Sequence, residues 1–460
     1  MKRSQTSAVV TVQTKAYPEP LMNGVLSINP QLLKKLNLRP GALVALAFGQ
    51  RQTKVHIAAS HHHKQLVLVD AATAQQLCLE DGYQLNLRYD PKINTLTLGP
   101  LFCILIDPVD SPTVGLLRPM LPFLKTVTRY GQKRGILVFV ASPLGVKPEQ
   151  HQISGWHLRH QTWKAGEFPL PDVCYNRISS RTIEQAQETQ AILQYLDRSC
   201  HFFNKQFLNK WQVHQILSRS EAMRHVLPET RLYETLADLK DMVQKYRILY
   251  LKPANGSLGR GIIRLVRQSD AIHCQYATVS AIVHKKITSS RQLLQFFQPR
   301  LSRQPYLIQE GLKLASFQGR PVDFRILTQK DGNNQWRVTS MVARAAQNNT
   351  VVTNVARGGD IYNVKTVLPY MTHHSVQYAQ QRLRQLAIAV ARELEAQLDG
   401  TYAEFGIDVA MDIYDNLWLL EVNAKPSKDE NSFLGKDQNR PSVRYLLQYV
   451  LYASKHQRGS

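Results

Sequence analysis

The chain has no apolar run approaching the ~18 residues that a membrane-spanning helix needs, no Cys-x-x-Cys pair, and few acids. It carries 34 Asp and Glu against 57 Lys and Arg in 460 residues. The first absence excludes a helical membrane span. The second, with five scattered cysteines (Cys78, Cys103, Cys174, Cys200, Cys274), argues against a disulfide framework or a zinc ribbon and fits a reducing, cytoplasmic setting. The opening "MKRSQTSAVVTVQTK" lacks the sustained apolar core of a signal peptide. The shortage of acids leaves a formal net charge of +23, which draws anionic partners: nucleotide, acidic polypeptide or anionic polymer. There is no long Lys/Arg block and no RRM, KH or zinc-finger pattern, so nucleic acid is not an expected partner. His61, His62 and His63 read as a solvated loop rather than a metal site. With 43% hydrophobic and 20% charged residues, the chain is globular, with room for roughly three domains of about 100–200 residues each.

The first hundred residues repeat. "LSINPQLLKKLNLRPGALVALAFG" starts at Leu26 and "VLVDAATAQQLCLEDGYQLNLRYD" at Val67. At this offset of 41, Ile28 aligns with Val69, Leu36 with Leu77, Gly41 with Gly82 and Phe48 with Tyr89. Each unit reads as strand, short helix, glycine turn, strand. Two units are too few for a solenoid, but they can interleave into a closed barrel without sheet edges. From Leu101 to about Arg177 the continuous apolar strands "LFCILID" and "GILVFVAS" predict a covered parallel sheet. Residues 181–225 are expected to be helical. Beyond them strands and helices alternate, and Leu383, Leu386, Ala387, Val390, Ala391, Leu394 and Leu398 form a core-facing helical stripe within 373–398.

Two acids stand out in apolar strands. In "LWLLEVNAKPS" (417–427) period-2 alternation puts Leu417, Leu419, Glu421 and Asn423 on one face. "EFGIDVAMDIYDN" (404–416) alternates too and ends in turn chemistry. A hairpin closed around Tyr414 and Asp415 sets Asp408 opposite Glu421 and position 412 opposite 417. Facing like charges destabilise a sheet, and a divalent cation would remove the conflict. Asp408, Glu421 and Asn423 offer only oxygen, which suits Mg2+ or Mn2+. The alternative for Glu421 is an edge strand with the acid in water.

A phosphate site is also legible. In "ILYLKPANGSLGRGIIRL" a strand ends in Lys252-Pro253, and a loop with Gly256, Ser257, Gly259 and Gly261 leads to a second strand. It is neither a dinucleotide fingerprint nor a Walker loop. Glycines let backbone N–H groups approach phosphate oxygens, and the lysine adds a point charge; the alternative is a flexible hairpin. Lys210 opens a helix in "FLNKWQVHQIL", and "YLIQEGL" runs a strand into the polar Gln309 and Glu310, groups a nucleotide pocket can use. Asp323 and Arg325 share a strand face in "RPVDFRILTQ", and "VARAAQNNTVVTNVARGGD" carries Arg344, Asn354 and Arg357.

In this order the motifs resemble the ATP-grasp superfamily over about 200–460. The 13 residues from Asp408 to Glu421 match the interval in D-alanine–D-alanine ligases, and "EVNAKPS" is similar to their metal-binding strand. "TNVARGG" looks closer to the ribosomal-protein glutamate ligases. "PLPDVCYNRISSRTIE", "FFNKQFLNKW", "YLKPANGSLGRGI" and "LWLLEVNAKPS" together resemble the YheC/YheD family, described as endospore coat-associated, over nearly the whole chain. The resemblance implies an α/β (α+β) protein with an ATP-grasp core of two α+β lobes (201–460). A small α/β domain (101–200) and a β-barrel-like repeat domain (1–100) would precede it. It implies that Lys210 and Lys252, with the loop of Ser257, Gly259 and Gly261, contact ATP phosphates. Gln309, Glu310 and Leu312 would hold adenine and ribose, and Asp408, Glu421 and Asn423 the Mg2+. Arg325, Asn354 and Arg357 would face the transferred phosphate or substrate.

The implied function is an ATP- and Mg2+-dependent carboxylate–amine ligase working through an acyl phosphate, with carboxylate and amine substrates and an acidic peptide or protein as the expected acceptor. The protein would be cytoplasmic and spore-associated. The alternative is a non-catalytic, nucleotide-binding structural protein of the spore coat. A kinase reading lacks an HRD-like loop. Two departures stand against the family pattern: Ser427 replaces the usual glycine after Pro426, and Gly406 stands where D-alanine ligases keep an arginine.

Overall fold

In the computed structural model, which describes residues 7–14, 22–60, 65–109, 120–256, 259–278, 282–301, 304–346, 359–428 and 440–456, the forty-one-residue repeat is geometric. Helices Pro30–Leu36 and Ala71–Leu77 begin and end at that offset. Both are capped at the N-terminus by a side-chain oxygen, from Asn29 and Asp70, and both end in a left-handed residue, Asn37 and Cys78. Gly41 and Gly82 follow at φ 84° and 83°, where a Cβ would be strained. The strands β1 (Ser7–Gln13), β2 (Val25–Ile28), β3 (Leu43–Phe48), β4 (Arg51–Ala59), β5 (Leu66–Val69), β6 (Gln84–Asp90) and β7 (Thr95–Leu98) close into a barrel in the order β1-β5-β2-β4-β3-β7-β6. The triple-histidine stretch His61–His63 lies outside the described residues.

A second sheet follows, from β8 (Leu101–Leu105), β9 (Leu137–Ala141), β10 (Val146–Lys147), β11 (Gln152–Arg159), β12 (Thr162–Pro169), β13 (Val173–Asn176) and β14 (His201–Phe203), in the order β10-β11-β9-β8-β13-β14 with β12 on β11. The central pairs β9/β8, β8/β13 and β13/β14 are parallel. Every residue of β8, β9 and β13 is buried, which is why their sequences run apolar without alternation. The antiparallel hairpin β11–β12 was not apparent in the sequence, and the expected helical stretch 181–225 is interrupted by β14 at His201–Phe203. All five cysteines are free thiols.

Contacts divide the chain into two units, residues 1–206 with 330–335 and 437–460, and residues 207–329 with 336–436. The C-terminal helix Pro441–His456 therefore belongs with the barrel and the parallel sheet, and it packs on helix Leu121–Gln132.

The second unit holds two sheets. One is antiparallel, from β15 (Thr230–Leu232), β16 (Ile248–Pro253), β17 (Ile263–Arg267), β18 (Ile272–Ala277), β19 (Ile282–Ile287) and β20 (Tyr306–Glu310), in the order β15-β20-β16-β17-β18-β19. Leu249, Leu251, Leu265 and Ile308 bury one face against helices Leu236–Lys245 and Ser290–Leu301. The other comprises β21 (Ser316–Phe317), β22 (Arg320–Lys330), β23 (Trp336–Ala345), β24 (Asp360–Asn363), β25 (Glu404–Met411) and β26 (Leu417–Asn423), in the order β24-β23-β22-β25-β26 with β21 on β22. Phe324, Ile326, Ile407 and Val409 bury one face against helix Val376–Gln397, whose stripe of Leu383, Ala387, Val390, Ala391 and Leu394 is fully buried, as its period predicted, whereas Leu386, expected in the same stripe, is only half-buried at its margin. The remaining face of each sheet is free for polar side chains.

Leu36 and Leu77 occupy equivalent positions in the two barrel repeats, and both are buried. Leu36→Ala and Leu77→Ala should each destabilise the barrel by about 2–5 kcal/mol. Chemical denaturation of the two variants should give losses of similar size.

Candidate functional site

Lys210 is the first residue of helix Lys210–Arg219, whose cap Asn209 accepts from the N–H groups of Trp211 and Gln212. The Lys210 N–H donates to the Ala254 carbonyl at 3.0 Å, and its ammonium donates to the Gly256 carbonyl. The helix start is thus tied to the glycine turn after β16. Gly259 and Gly261 sit at φ 67° and 74°. A Cβ on Gly261 would lie 2.9 Å from the Pro253 ring, so glycine there answers both backbone angle and space. Ser257 lies outside the described residues, as do Asn354 and Arg357 in the stretch 347–358.

Lys252, on β16, donates to Gln309 Oε1 at 2.5 Å, and Gln309 Nε2 donates to Thr230 Oγ1 at 2.9 Å. Both polar ends of Gln309 are therefore committed, and its effect is to hold the ammonium in place. The carboxylate of Glu310 accepts from the Glu229 N–H at 2.8 Å. Burial, only partly offset by Glu421, lowers the Lys252 pKa to about 8.

On the facing sheet β25 pairs with β26, and Asp408 stands directly opposite Glu421. The expected partnership of 412 with 417 is not found. The register shifts after Asp408, so that Met411 meets Leu417 and Leu420 is left without a partner. This bulge also corrects the face assignment. Leu417, Leu419 and Val422 are buried in the hydrophobic core, whereas Leu420 and Glu421 both border a cavity. A strict alternation would have sent Glu421 to the core side with Leu419; the extra residue redirects it.

The expectation that the two acids stand in conflict without a metal is also corrected. Asp408 Oδ1 lies 2.6 Å from Arg325 Nε, and Oδ2 lies 3.0 Å from Arg344 Nη2. Arg344 Nε bonds Asp323 Oδ1 at 2.6 Å, and Lys210 pairs with Glu421 at 3.2 Å. Each acid thus has a cation, and Asp323–Arg344–Asp408–Arg325 forms a buried ionic ladder. Burial still pushes the Asp408 carboxyl up to about 6, against the pull of both guanidinium groups. For Glu421 burial works in the same direction, but Lys210 and Arg325 outweigh it and hold the carboxyl below its usual range.

The cavity measures about 480 Å³ and is bordered by Lys210, Lys252, Gly259, Gln309, Glu310, Leu312, Asp408 and Glu421 among the expected residues. Arg325 acts behind Asp408, and Asn423, opposite Gly406, is half-buried at the end of β26; neither borders the cavity. Four further polar lining residues, Tyr250, Arg260, Arg264 and Gln275, were not singled out. Tyr250 could have been, since it lies two residues from Lys252 on the same strand face.

One of the two departures, Gly406, has a structural account. A Cβ on Gly406 would come within 2.6 Å of Pro426 Cβ and 3.2 Å of Arg325 Nη1, so no arginine fits where D-alanine ligases keep one. Two residues beyond Pro426, the buried Lys428 ammonium bonds both oxygens of the buried Glu404 at 2.5 and 2.6 Å. Gln329 adds a bond to Glu404 at 2.7 Å. The segment after Asn423 is thereby pinned along β25.

The sequence model of the family described as YheC/D-like ATP-grasp matches residues 199–452, and the chain belongs to that family. It is 28% identical over 399 residues to the endospore coat-associated protein YheD of Bacillus subtilis (strain 168), covering 85% of this chain and 86% of that one. It is 22% identical over 334 residues to YheC of the same organism, covering 71% and 91%. Among solved structures, D-alanyl-alanine synthetase A of Vibrio cholerae O1 biovar eltor str. N16961 superposes with a TM-score of 0.45 at 12% identity, over 78% of this chain and 99% of that one.

The lowered pKa of Lys252 has a stability signature. Below about pH 8 the folded, ligand-free protein must hold a desolvated ammonium, whereas the unfolded chain keeps a lysine of ordinary, higher pKa. Between the two values the unfolded state binds more protons, so stability attributable to this group rises with pH. Lys252→Met removes that slope. Denaturation from pH 7 to 10 should show the wild type gaining on the variant above pH 8; parallel curves would refute the burial of the charge.

Proposed function

We propose that the protein is an ATP- and Mg2+-dependent carboxylate–amine ligase. The observation that carries this is the single cavity wall to which Lys210, Lys252 and the glycine turn come from one side and Asp408 and Glu421 from the other. Lysines at a glycine turn suit a polyphosphate, and acids facing them suit the metal that accompanies it. Asp408, Glu421 and Asn423 are all oxygen donors on adjacent strands, a set that fits Mg2+ or Mn2+. Asp408 would take part by exchanging a guanidinium for the metal. Bound there, the metal would neutralise phosphate charge.

The chain's own residues then have distinct tasks. Lys210 and Lys252, with the loop of Ser257, Gly259 and Gly261, hold the phosphates. Glu310 and Leu312, next to the Gln309 that fixes Lys252, border the base and ribose. Arg325, with Arg344, Asn354 and Arg357, stabilises charge on the phosphoryl group in transfer. A donor carboxylate oxygen attacks the γ-phosphorus and ADP leaves, giving an acyl phosphate. An amine attacks the acyl carbon, loses a proton and expels phosphate, leaving an amide. Positioning and charge stabilisation are the main catalytic contributions. The surplus of positive charge favours an acidic peptide or protein as the acceptor. A second reading, a nucleotide-binding spore-coat protein without turnover, is favoured by the coat-associated names of YheD and YheC, which also suggest spore association here.

Glu421→Gln and Asp408→Asn should abolish Mg-ATP turnover, followed as ADP release, with the fold intact by circular dichroism. Turnover equal to wild type in both variants would remove the metal assignment. A wild type that binds ATP and leaves it intact with every carboxylate and amine offered would favour the coat-protein reading. Lys252→Ala should weaken ATP binding by roughly 1.5–3 kcal/mol, the range of a charged hydrogen bond, by titration calorimetry.

A further inference from the structure

The sheet β15-β20-β16-β17-β18-β19 carries a row of directly opposed residues across its cavity face. Gln309 pairs with Tyr250, Tyr250 with Arg264, Arg264 with Gln275, and Gln275 with His284. Opposed residues in an antiparallel sheet share a face. The first four border the cavity; His284, one strand further, is exposed. The row therefore leads from the cavity out to β19, which among the described residues pairs only with β18 and forms the edge of the sheet.

That edge is strongly basic. From Arg260 to Arg300 the chain has seven Lys and Arg (Arg260, Arg264, Arg267, Lys285, Lys286, Arg291, Arg300) and one acid, Asp270. These 41 residues hold a net +6 of the whole chain's +23, roughly three times an even share. On β19, His284 and Lys286 lie on the cavity face, and both are exposed. Lys285 is exposed on the helix side, 4.9 Å from the Phe296 ring, with the Arg300 guanidinium 4.1 Å from the same ring. Asp270 pairs only with Lys286, at 2.6 Å and well exposed, where an ion pair contributes little. Lysines on an edge strand also discourage unwanted sheet pairing. That role does not require cations on both faces or a polar row continuing into the cavity.

We infer that β19 is the docking edge for an extended acidic peptide, which adds to the sheet as a further strand, while the part of the peptide beyond that strand turns across the sheet face toward the cavity along the Gln275–Arg264 row. An edge strand offers its free N–H and C=O groups to a peptide backbone. A peptide strand alternates its side chains, so carboxylates on one face meet His284 and Lys286 and those on the other meet Lys285 and Arg300. Nucleic acid would use the charge but not the strand edge. Delivery into the cavity rests on the ligase reading; docking itself does not.

The test is fluorescence anisotropy of a labelled glutamate-rich peptide on the full chain without nucleotide, with ATP affinity measured separately. The wild type should bind it in a salt-sensitive manner and bind a glutamine-rich control far more weakly. The double variant Lys285→Glu with Lys286→Glu should lose about tenfold or more in peptide affinity and keep its ATP affinity. Methylation of alternate peptide amides should also weaken binding, because it removes strand pairing. Equal affinity for the glutamine peptide, an unaffected double variant, full binding of the methylated peptide, or tighter binding of a single-stranded oligonucleotide would each overturn the inference. Loss of ATP binding in the wild type would instead refute the ligase reading and leave the docking result standing.

Discussion

Asp408 can be buried on β25 only because its two oxygens face Arg325 and Arg344. An unmatched carboxylate there would cost several kcal/mol. This requirement organises much of its sheet. Arg344 needs Asp323 to fix its other nitrogens, which ties β23 to β22. Glu421, opposite Asp408, needs Lys210, which brings in the helix start that also touches the glycine turn. The bulge at Leu420 is what turns Glu421 toward this network. Without it the β26 alternation would place the acid with Leu417 and Leu419 in the core.

The two sheets of the second unit divide the chemistry. The antiparallel sheet supplies cations that are not locked to carboxylates, Lys252 held by an amide and Arg264 beside Gln275. The other supplies acids and the arginines bound to them. An incoming polyphosphate can therefore meet the first set without breaking an ion pair, whereas engagement of Arg325 or Arg344 requires Asp408 to exchange partners. A metal at the acids and a nucleotide at the lysines would favour one another on electrostatic grounds. The segment from Pro426 to Lys428 is pinned along β25, where Gly406 leaves no room for a longer side chain.

What could be read in the sequence is what local rules determine. The barrel repeat was legible because Ile28 and Val69, Leu36 and Leu77, and Gly41 and Gly82 recur at one offset, and the two glycines take the same backbone angle. The pairing of Asp408 with Glu421 was expected from a register with 412 opposite 417; the observed register starts at Met411 and Leu417, and the Leu420 bulge restores the pair. The bulge itself was not legible, since one extra residue leaves the apolar pattern of "LWLLEV" unchanged. Arg344 was visible only as one charge among several, because its two carboxylate partners lie on other strands. Lys428 and Glu404 gave no signal, their pairing being set by how the chain folds back after Pro426. The C-terminal helix reads simply as amphipathic, and nothing in it marks the first unit as its place.

The central claim is that a carboxylate is activated by phosphorylation in this cavity. The most direct measurement follows an oxygen atom: amino acids with 18O in their carboxyl groups are incubated with the protein, Mg-ATP and a glutamate-rich peptide as the amine, and the released phosphate is analysed by mass spectrometry. The account predicts ADP, an amide product, and phosphate carrying one 18O from the carboxylate for each bond formed. Unlabelled phosphate alongside amide, formation of AMP and pyrophosphate, or no amide with any amine supplied would contradict it.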